Sequence, residues 1–437
     1  MAMIERLEKG VVIKGGRPVP TEHAPEDKIA ARGKTIAYKI MRAHDISQNP
    51  AKMRLKFDAL VSHDITYVGI IQTARASGMK EFPIPYALTN CHNSLCAVGG
   101  TINEDDHFFG LSAAKKYGGI FVPPNLAVIH QYAREALCGC GKMILGSDSH
   151  TRYGCYGTMG IGEGGGELAK QLLGNTYDID APEVVLVWLE GAVPHGIGPH
   201  DVALALIGVT FPDGFVKNKV LEFAGPGLSG LSMDFRIGVD VMTTETSCLS
   251  SIWVTDDKVE EYYGDVGRPA AFKRLEIEEG AYYDAMVTVR LDEMESMIAL
   301  PFHPSKVYTI HELQKDPARI FAEIEAACNE ELGGRVKMDL RRNINEKGQV
   351  VVEQGVIVGC AGGMYENIAE AADILRGKSV GNGYFSLSVY PASAPIALAM
   401  AKDGLAADLM EAGALVKSAF CGPCFGAGDV PANNAFS

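Results

Sequence analysis

Three cysteines near the end of the chain have the residue type and spacing of a metal centre. Cys421 and Cys424 form the sequence Cys-Gly-Pro-Cys, and Cys360 ends the apolar run 356–360. One thiolate at a strand end and a close pair in a Gly/Pro turn can bind an iron–sulfur cube by three corners. Because four cysteines would saturate such a cluster, three leave one iron open as a Lewis acid. The cysteines therefore predict a [4Fe-4S] cluster that takes part in chemistry.

The pair Cys421 and Cys424 is also compatible with other kinds of site. Cys-Gly-Pro-Cys is the redox motif of thioredoxin-like proteins, in which the first cysteine opens a long helix. Residues 425–437 are too few, and too rich in Gly and Pro, for that helix. A zinc half-site and plain buried thiols remain open as alternatives.

A second group of reactive residues, Asp148, Ser149 and His150, follows the apolar run 143–145. The end of a parallel strand is the edge where α/β proteins place their chemistry. An aspartate there can orient a histidine and keep it as a proton donor. The same three residues can equally form a turn in which Asp148 and Ser149 cap backbone N–H groups.

Three further histidines and one aspartate are candidates for a site. His63 and His92 lie in polar breaks between apolar runs, which favours a functional role. His130 lies beside the apolar stripe of a predicted helix, where a single histidine is more often a core residue. Asp240 follows the apolar run 237–239 and is either a helix cap or a site carboxylate. The remaining cysteines are interpreted as packing residues or incidental thiols.

A glycine-rich segment at residues 160–166 contains the pattern G-x-G-x-x-G. Dinucleotide binding requires that pattern directly after a strand, but residues 151–157 before it are turn-like. The glycines instead indicate close backbone approach beside a site, with a helix starting at Glu167.

The elements that position these residues alternate as in an α/β protein, with short apolar runs between amphipathic stretches. A strand is predicted from residue 350, broken at Gly355 and ending at Cys360. A helix over 364–375 follows it, with Gly377 at the C′ position. Further strands are predicted at 143–145, 184–189, 220–223, 384–390 and 414–416, and further helices around 126–137 and from Pro395.

Length and composition limit the possible classes of protein. A chain of 437 residues is too long for one core, and we predict α/β segments at 1–199, 200–335 and 336–437. A net charge of −14 with no Lys/Arg block argues against nucleic-acid binding. The longest apolar runs are too short to span a membrane. Ten cysteines without a signal peptide predict thiols or metal ligands in a reducing compartment, the cytoplasm.

Taken together, these motifs resemble those of the aconitase superfamily of [4Fe-4S] hydro-lyases and isomerases. The resemblance spans nearly the whole chain and is strongest at residues 129–131, 146–151, 160–166 and 421–424. It implies three α/β domains in three layers, with mixed or parallel sheets flanked by helices, around a cluster ligated by Cys360, Cys421 and Cys424. It also implies that the open iron binds a hydroxyl and a neighbouring carboxylate of the substrate.

The resemblance implies roles for the other candidates as well. His130, Asp148, Ser149 and His150 match the lining of the family's active site. His92 matches a histidine that protonates the departing hydroxyl, and Cys91 stands where its acidic partner is expected. His63 falls where a glutamine usually contacts the substrate. Arg236 and Asp240 stand where the family usually has an Asn-x-x-x-Glu pair. At that position Arg236 could instead pair with an extra carboxylate.

The resulting hypothesis is a cluster-dependent hydratase or dehydratase (isomerase) that acts on a small hydroxy-polycarboxylate. The family's Arg-Asn-Phe stretch and the swivel domain with its serine base do not occur in this sequence. We therefore expect a C-terminal swivel domain or a small subunit as partner. A non-catalytic iron–sulfur or iron-sensing protein on the same fold is the alternative, and a nucleotide-dependent oxidoreductase using the 160–166 glycines is a third hypothesis.

Overall fold

The computed structural model describes residues 3–47, 49–92 and 99–437, and it confirms an α/β fold. Three larger sheets carry the architecture. The first contains five parallel strands with the Ala59–His63 strand at its centre. In spatial order its strands are Ile120–Val122, Tyr86–Thr89, Ala59–His63, Met143–Gly146 and Met159–Gly162.

The second sheet has five strands, of which only the edge strand Ile4–Leu7 is antiparallel to its neighbour. The third sheet has three parallel strands. The other strands of the second sheet are, in order, Ala285–Arg290, Val184–Glu190, Val220–Ala224 and Ser250–Trp253; those of the third are Gln354–Ile357, Ser386–Val389 and Leu415–Val416.

Small antiparallel pairings complete the strands, and helices cover the sheets. The small pairings join Tyr177–Asp180 with Lys52–Leu55, Tyr282–Tyr283 with Val11–Lys14 and Arg17–Pro20, and Met297–Ala299 with Val307–Thr309. The α-helices are Lys28–Arg32, Ile36–His44, Asp64–Ala76, Thr101–Tyr117, Ile129–Ala136, Gly165–Leu172, Pro199–Thr210, Met233–Met242, Asp257–Asp265, Ile310–Lys315, Pro317–Glu331, Gly359–Gly362, Tyr365–Leu375, Ala394–Lys402 and Leu405–Glu411.

One continuous apolar core joins the three larger sheets. Val61 of the first sheet, Val187 of the second and Val389 of the third all belong to the same cluster of buried side chains. Close packing of this kind fixes the relative positions of the sheets and of the loops at their edges. The division at residues 199 and 335 stays a prediction, and the second sheet takes strands from both sides of residue 199.

Most predicted elements are confirmed, including a helix over Tyr365–Leu375 with Gly377 at φ +71° just beyond it. The predicted strand at 350–360 is wrong in its details. Val351 and Val352 are exposed and outside the sheet, and the strand Gln354–Ile357 runs through Gly355. A Cβ on Gly355 would lie 3.0 Å from Leu387. Gly355 therefore leaves space for packing between neighbouring strands and does not break its own strand.

The glycine-rich segment also differs from its prediction as a loop. Gly160 and Gly162 belong to the strand Met159–Gly162, and the following helix begins at Gly165, not at Glu167. The predicted close approach is confirmed, because a Cβ on Gly162 would lie 2.3 Å from the carbonyl oxygen of Asp148. These glycines let the strand pass directly against the turn that carries Asp148. No helix in the described part of the chain is both long and apolar enough to cross a membrane.

Candidate active site

The carboxyl edge of the first sheet gathers the candidate residues. His63 is the last residue of the strand Ala59–His63, His92 follows the strand Tyr86–Thr89, and Asp148 follows Met143–Gly146. Parallel strands end at the same edge, so residues far apart in sequence become neighbours there. The sheet therefore explains why these polar breaks in the sequence form one site.

Asp148 is the centre of a group of four histidines. Its Oδ1 lies 2.9 Å from His130 Nε2 and 3.6 Å from His150 Nδ1, and it accepts a hydrogen bond from the His150 backbone N–H at 2.8 Å. Its Oδ2 lies 3.2 Å from His92 Nε2 and 3.6 Å from His63 Nε2. One carboxylate thus orients four rings.

His92 and His150 each have an acidic or thiol partner on both sides of the ring, which favours the charged form. Burial opposes the charge on His150, but Asp148 and Glu245 raise its pKa to about 9. Burial likewise opposes the charge on His92, but Cys91 and Asp148 raise its pKa to about 10. Burial would raise the pKa of Asp148, yet its histidine contacts hold that pKa well below the usual range. The group is therefore an ionised carboxylate between two imidazolium rings.

The other two histidines favour the neutral form. Burial lowers the pKa of His130 to about 4 and that of His63 to about 3. The Asp148 carboxylate can only accept a hydrogen bond, so His130 donates from Nε2. The neutral ring then accepts from the Tyr153 hydroxyl at Nδ1, 3.0 Å away. His63 Nδ1 is buried and has no hydrogen-bond partner among the described residues.

Glu245, which the sequence analysis missed, completes the charged group. Its Oε1 lies 3.0 Å from His150 Nε2, and its Oε2 lies 3.8 Å from His303 Nε2. Glu245 belongs to a short 3₁₀ segment, Thr243–Thr246, that follows the helix Met233–Met242. An acidic residue among threonines just after a helix was the available signal.

A cavity of about 590 Å³ brings the cysteines and this polar group together. Cys360, Cys421 and Cys424 all line it, as do three of the predicted catalytic residues, His130, Asp148 and His150. Sequence reasoning missed three further residues of the lining, His200, Glu245 and Asn367. Ser149 is exposed and is not part of the lining, and its hydroxyl lies 3.3 Å from His150 Nδ1.

Local backbone geometry brings the three sulfur atoms together. Cys360 lies in the helical turn Gly359–Gly362, not at the end of a strand as predicted. Gly359 has φ +86°, and a Cβ at this position would lie 2.6 Å from Cys424 Sγ. A glycine is therefore required both for the turn and for the space that the sulfur occupies.

The thiols differ in how easily they ionise. A hydrogen bond between the two thiols raises the pKa of Cys421 and lowers that of Cys424, although burial opposes the lowering. Burial raises the pKa of Cys360 to about 12. Soft sulfur donors that converge on one cavity suit iron–sulfur chemistry, and metal binding would deprotonate the buried thiols.

Comparison with known proteins agrees with this geometry. The sequence model of the Aconitase family (aconitate hydratase) matches residues 38–437. The chain belongs to the aconitase family. It is 30% identical over 315 residues to the 3-isopropylmalate dehydratase large subunit of Elusimicrobium minutum, covering 72% of this chain and 66% of that protein.

Mitochondrial aconitate hydratases are similar over more of this aconitase-family chain. Those of Aspergillus fumigatus and Saccharomyces cerevisiae are 27% and 26% identical over alignments of 422 positions that cover 90% of this chain. They are covered over 50% and 51% of their own length. The chain thus spans between half and two thirds of the length of these relatives.

In this aconitase-family chain, Cys91 holds the ring of His92. Its Sγ lies 3.2 Å from His92 Nδ1, and its carbonyl accepts a hydrogen bond from Cys421 N–H at 2.9 Å. Asp64 supports the same turn by accepting from His92 N–H at 3.0 Å and by contacting His107 Nε2 at 3.0 Å. Cys91 therefore connects the histidine group to the cysteine pair.

Five residues that the resemblance placed at the site lie outside the cavity lining: His63, His92, Ser149, Arg236 and Asp240. Asp240 is buried and accepts hydrogen bonds from Trp253 Nε1 at 2.7 Å and from Cys155 N–H at 3.3 Å. Arg236 is buried and binds both carboxylate oxygens of Asp256, at 2.8 and 2.6 Å. The roles predicted for Asp240 in catalysis and for Arg236 in substrate binding stay predictions.

Proposed function

We propose that this chain is the cluster-binding part of a hydratase or dehydratase that adds or removes water in a small hydroxy-carboxylate. One observation carries the proposal: three converging cysteines share a cavity with the Asp148 histidine group. The names of the relatives, aconitate hydratase and 3-isopropylmalate dehydratase, support the same reaction class.

Cys360, Cys421 and Cys424 are the proposed ligands of a [4Fe-4S] cluster. With three cysteine ligands such a cluster supplies a Lewis acid that polarises a substrate oxygen. Cys91, whose carbonyl accepts a hydrogen bond from Cys421 N–H, has its sulfur against His92 and is not part of the cavity lining. Three ligands are what this reaction class requires, because a saturated cluster offers no place for substrate.

The histidine group is proposed to move the proton. His92 and His150 favour the charged form and can each donate a proton to a departing hydroxyl, while Asp148 keeps their rings oriented. Of these two rings, that of His150 lines the cavity, and its positive charge is proposed to attract the carboxylates of a substrate there. His63 is a proposed substrate contact on the resemblance alone, because it lies outside the cavity lining and its unpartnered Nδ1 is buried.

A further polypeptide segment is proposed to supply the base that removes the carbon-bound proton. Two of the similar proteins are named as large subunits, which supports a small-subunit partner. A swivel domain in the same polypeptide would supply this base equally well. A reducing, cytoplasmic compartment also stays a proposal, in keeping with nine free cysteines in the described residues.

The cluster assignment is tested by anaerobic reconstitution followed by iron and sulfide analysis. We expect about four iron atoms per chain and a clear loss of iron in each of Cys360→Ser, Cys421→Ser and Cys424→Ser. Cys138→Ser is the matched control, since Cys138 is buried but does not line the cavity. Equal iron in all four variants would refute the three-cysteine site.

The reaction is tested with 2- and 3-hydroxy di- and tricarboxylates, followed by the ultraviolet absorbance of the unsaturated product. The assay is run with the proposed small subunit or swivel domain added. Turnover that depends on the reconstituted cluster supports the proposal. A loaded cluster without turnover on any of these acids would favour the non-catalytic iron–sulfur protein instead.

A further inference from the structure

Arg134 is a buried cation that lies next to Cys360 and has no role in the proposed reaction. It lies one turn after His130 on the helix Ile129–Ala136, and only 1% of its surface is exposed. Its Nη1 donates to the carbonyl oxygen of Cys360 at 2.7 Å and to Gln131 Oε1 at 3.2 Å. The side chain therefore ties the helix of His130 to the turn of Cys360.

The charge of Arg134 has no partner of opposite sign at close range. Within the described ranges, no carboxylate oxygen lies within 4 Å of its guanidinium group, and its buried Nε has no hydrogen-bond partner. The neighbouring Glu135 is engaged by Gln131 and Ser393. A buried, unpaired guanidinium is strongly unfavourable, so a fold that keeps one normally provides an anion.

The nearest carboxyl groups do not provide that anion. Asp240 lies beyond 4 Å, is bonded to Trp253 and Cys155, and burial raises its pKa toward the neutral form. Burial also raises the pKa of Asp234. Arg134 does not itself line the cavity, but Cys360, whose carbonyl oxygen it binds, does, so a negative charge bound at the Cys360 thiol would lie next to the residue that Arg134 contacts.

We propose that Arg134 is the fixed counter-charge of the iron–sulfur cluster and the positioning residue for Cys360, an inference that rests on the proposed function. Three thiolates with a [4Fe-4S] core would carry a net negative charge, and one of those thiolates would belong to Cys360, whose carbonyl Arg134 binds. The guanidinium then gains its partner only when the cluster is bound. Arg134 thereby couples cluster binding to stability.

This role predicts opposite effects of one substitution on two forms of the protein. Arg134→Leu removes the unpaired cation from the cluster-free protein, whose melting temperature should stay equal or rise. The same change removes the counter-charge from the loaded protein, whose melting temperature should fall. A residue with a merely structural role would lower both melting temperatures.

The experiment compares wild type, Arg134→Leu, Arg134→Lys and Arg268→Leu, each with and without reconstituted cluster. Arg268 is the matched control, because it donates to the carbonyls of Glu135 and Cys138 and not to that of Cys360. The measurements are melting temperature, the rate of iron loss to a chelator, and the midpoint potential of the cluster. Arg134→Lys keeps the positive charge, so it still tests the inference if Arg134→Leu fails to fold.

For Arg134→Leu we expect iron loss to be about tenfold faster and the midpoint potential to become more negative, since a nearby cation favours the reduced cluster. Arg134→Lys should lie between wild type and Arg134→Leu, and Arg268→Leu should match wild type in iron loss and potential. Iron loss and potential of Arg134→Leu equal to wild type would overturn this inference alone. A wild-type chain that takes up no cluster would instead refute the proposed function.

Discussion

Glu245 Oε1 lies 3.0 Å from His150 Nε2, and this contact joins the edge of the first sheet to the 3₁₀ segment Thr243–Thr246. His150 is thereby held between two carboxylates, because Asp148 lies on the other side of its ring. A ring in this position keeps its proton at pH values where an unperturbed histidine has lost it.

The first prediction concerns the pH dependence of stability through His150. Its folded pKa of about 9 exceeds the unfolded value, so its contribution is complete below about pH 6.5 and is lost as pH rises through about 9. After allowance for a ring that is one-third exposed, the contribution is about 1–2 kcal/mol. Urea unfolding of the cluster-free protein from about pH 6 to 10 should show this loss.

Glu245→Gln should reduce this pH dependence. Its destabilisation is expected to be about 1 kcal/mol at low pH and to fall toward zero at high pH. His303→Gln is the control, because His303 Nε2 is 3.8 Å from Glu245, beyond hydrogen-bond range. A Glu245→Gln effect that does not change with pH would contradict the assignment of a charged His150.

The second prediction concerns Gly359. Gly359→Ala adds a Cβ at φ +86° that would lie 2.6 Å from Cys424 Sγ, so Cys424 must move away from the other sulfurs. We expect a loss of about 1–2 kcal/mol of stability from the backbone alone and a strong loss of cluster iron. Gly377→Ala is the matched control, with φ +71° and no atom within 4 Å of the new Cβ. Gly377→Ala should lose a similar amount of stability and keep its iron. Equal iron in Gly359→Ala and Gly377→Ala would be evidence against the cysteine geometry.

The third prediction concerns Cys91 as the partner of His92 Nδ1. Cys91→Ala leaves that nitrogen without a partner and should lower kcat about 10–100-fold, with cluster iron unchanged. Cys91→Asp supplies an oxygen acceptor in the same direction and should retain most of the turnover. Turnover and iron content are measured on the same samples. An alanine variant as active as wild type would remove Cys91 from the proton-transfer group.

The fourth prediction separates two roles for Arg236. If its pairing with Asp256 serves the fold, Asp256→Asn leaves a buried guanidinium without a charged partner and costs about 3 kcal/mol. The double variant Arg236→Met/Asp256→Asn should recover part of this loss, because no charge remains unpaired. Urea unfolding and KM are the measurements. A KM that rises sharply in Arg236→Met with little loss of stability would instead support the predicted substrate contact.

The sequence predicted much of the fold because strand and helix signals are local. Apolar runs located the strands Met143–Gly146, Val184–Glu190 and Val220–Ala224 to within two residues. Where a strand crosses glycines, as at Gly160 and Gly355, the local signal reads as a turn. There the tertiary neighbour, which needs the space of a missing side chain, decides the conformation.

By itself the sequence determined the chemical types and their order: three cysteines with cluster spacing, and polar breaks after strands that a parallel sheet must bring to one edge. Only the tertiary structure decided the partners. It assigned Glu245 to His150, Arg236 to Asp256 and Arg134 to Cys360. Most of these contacts join residues that are distant along the chain, and packing across separate sheets, not spacing within the chain, brings them within hydrogen-bond range.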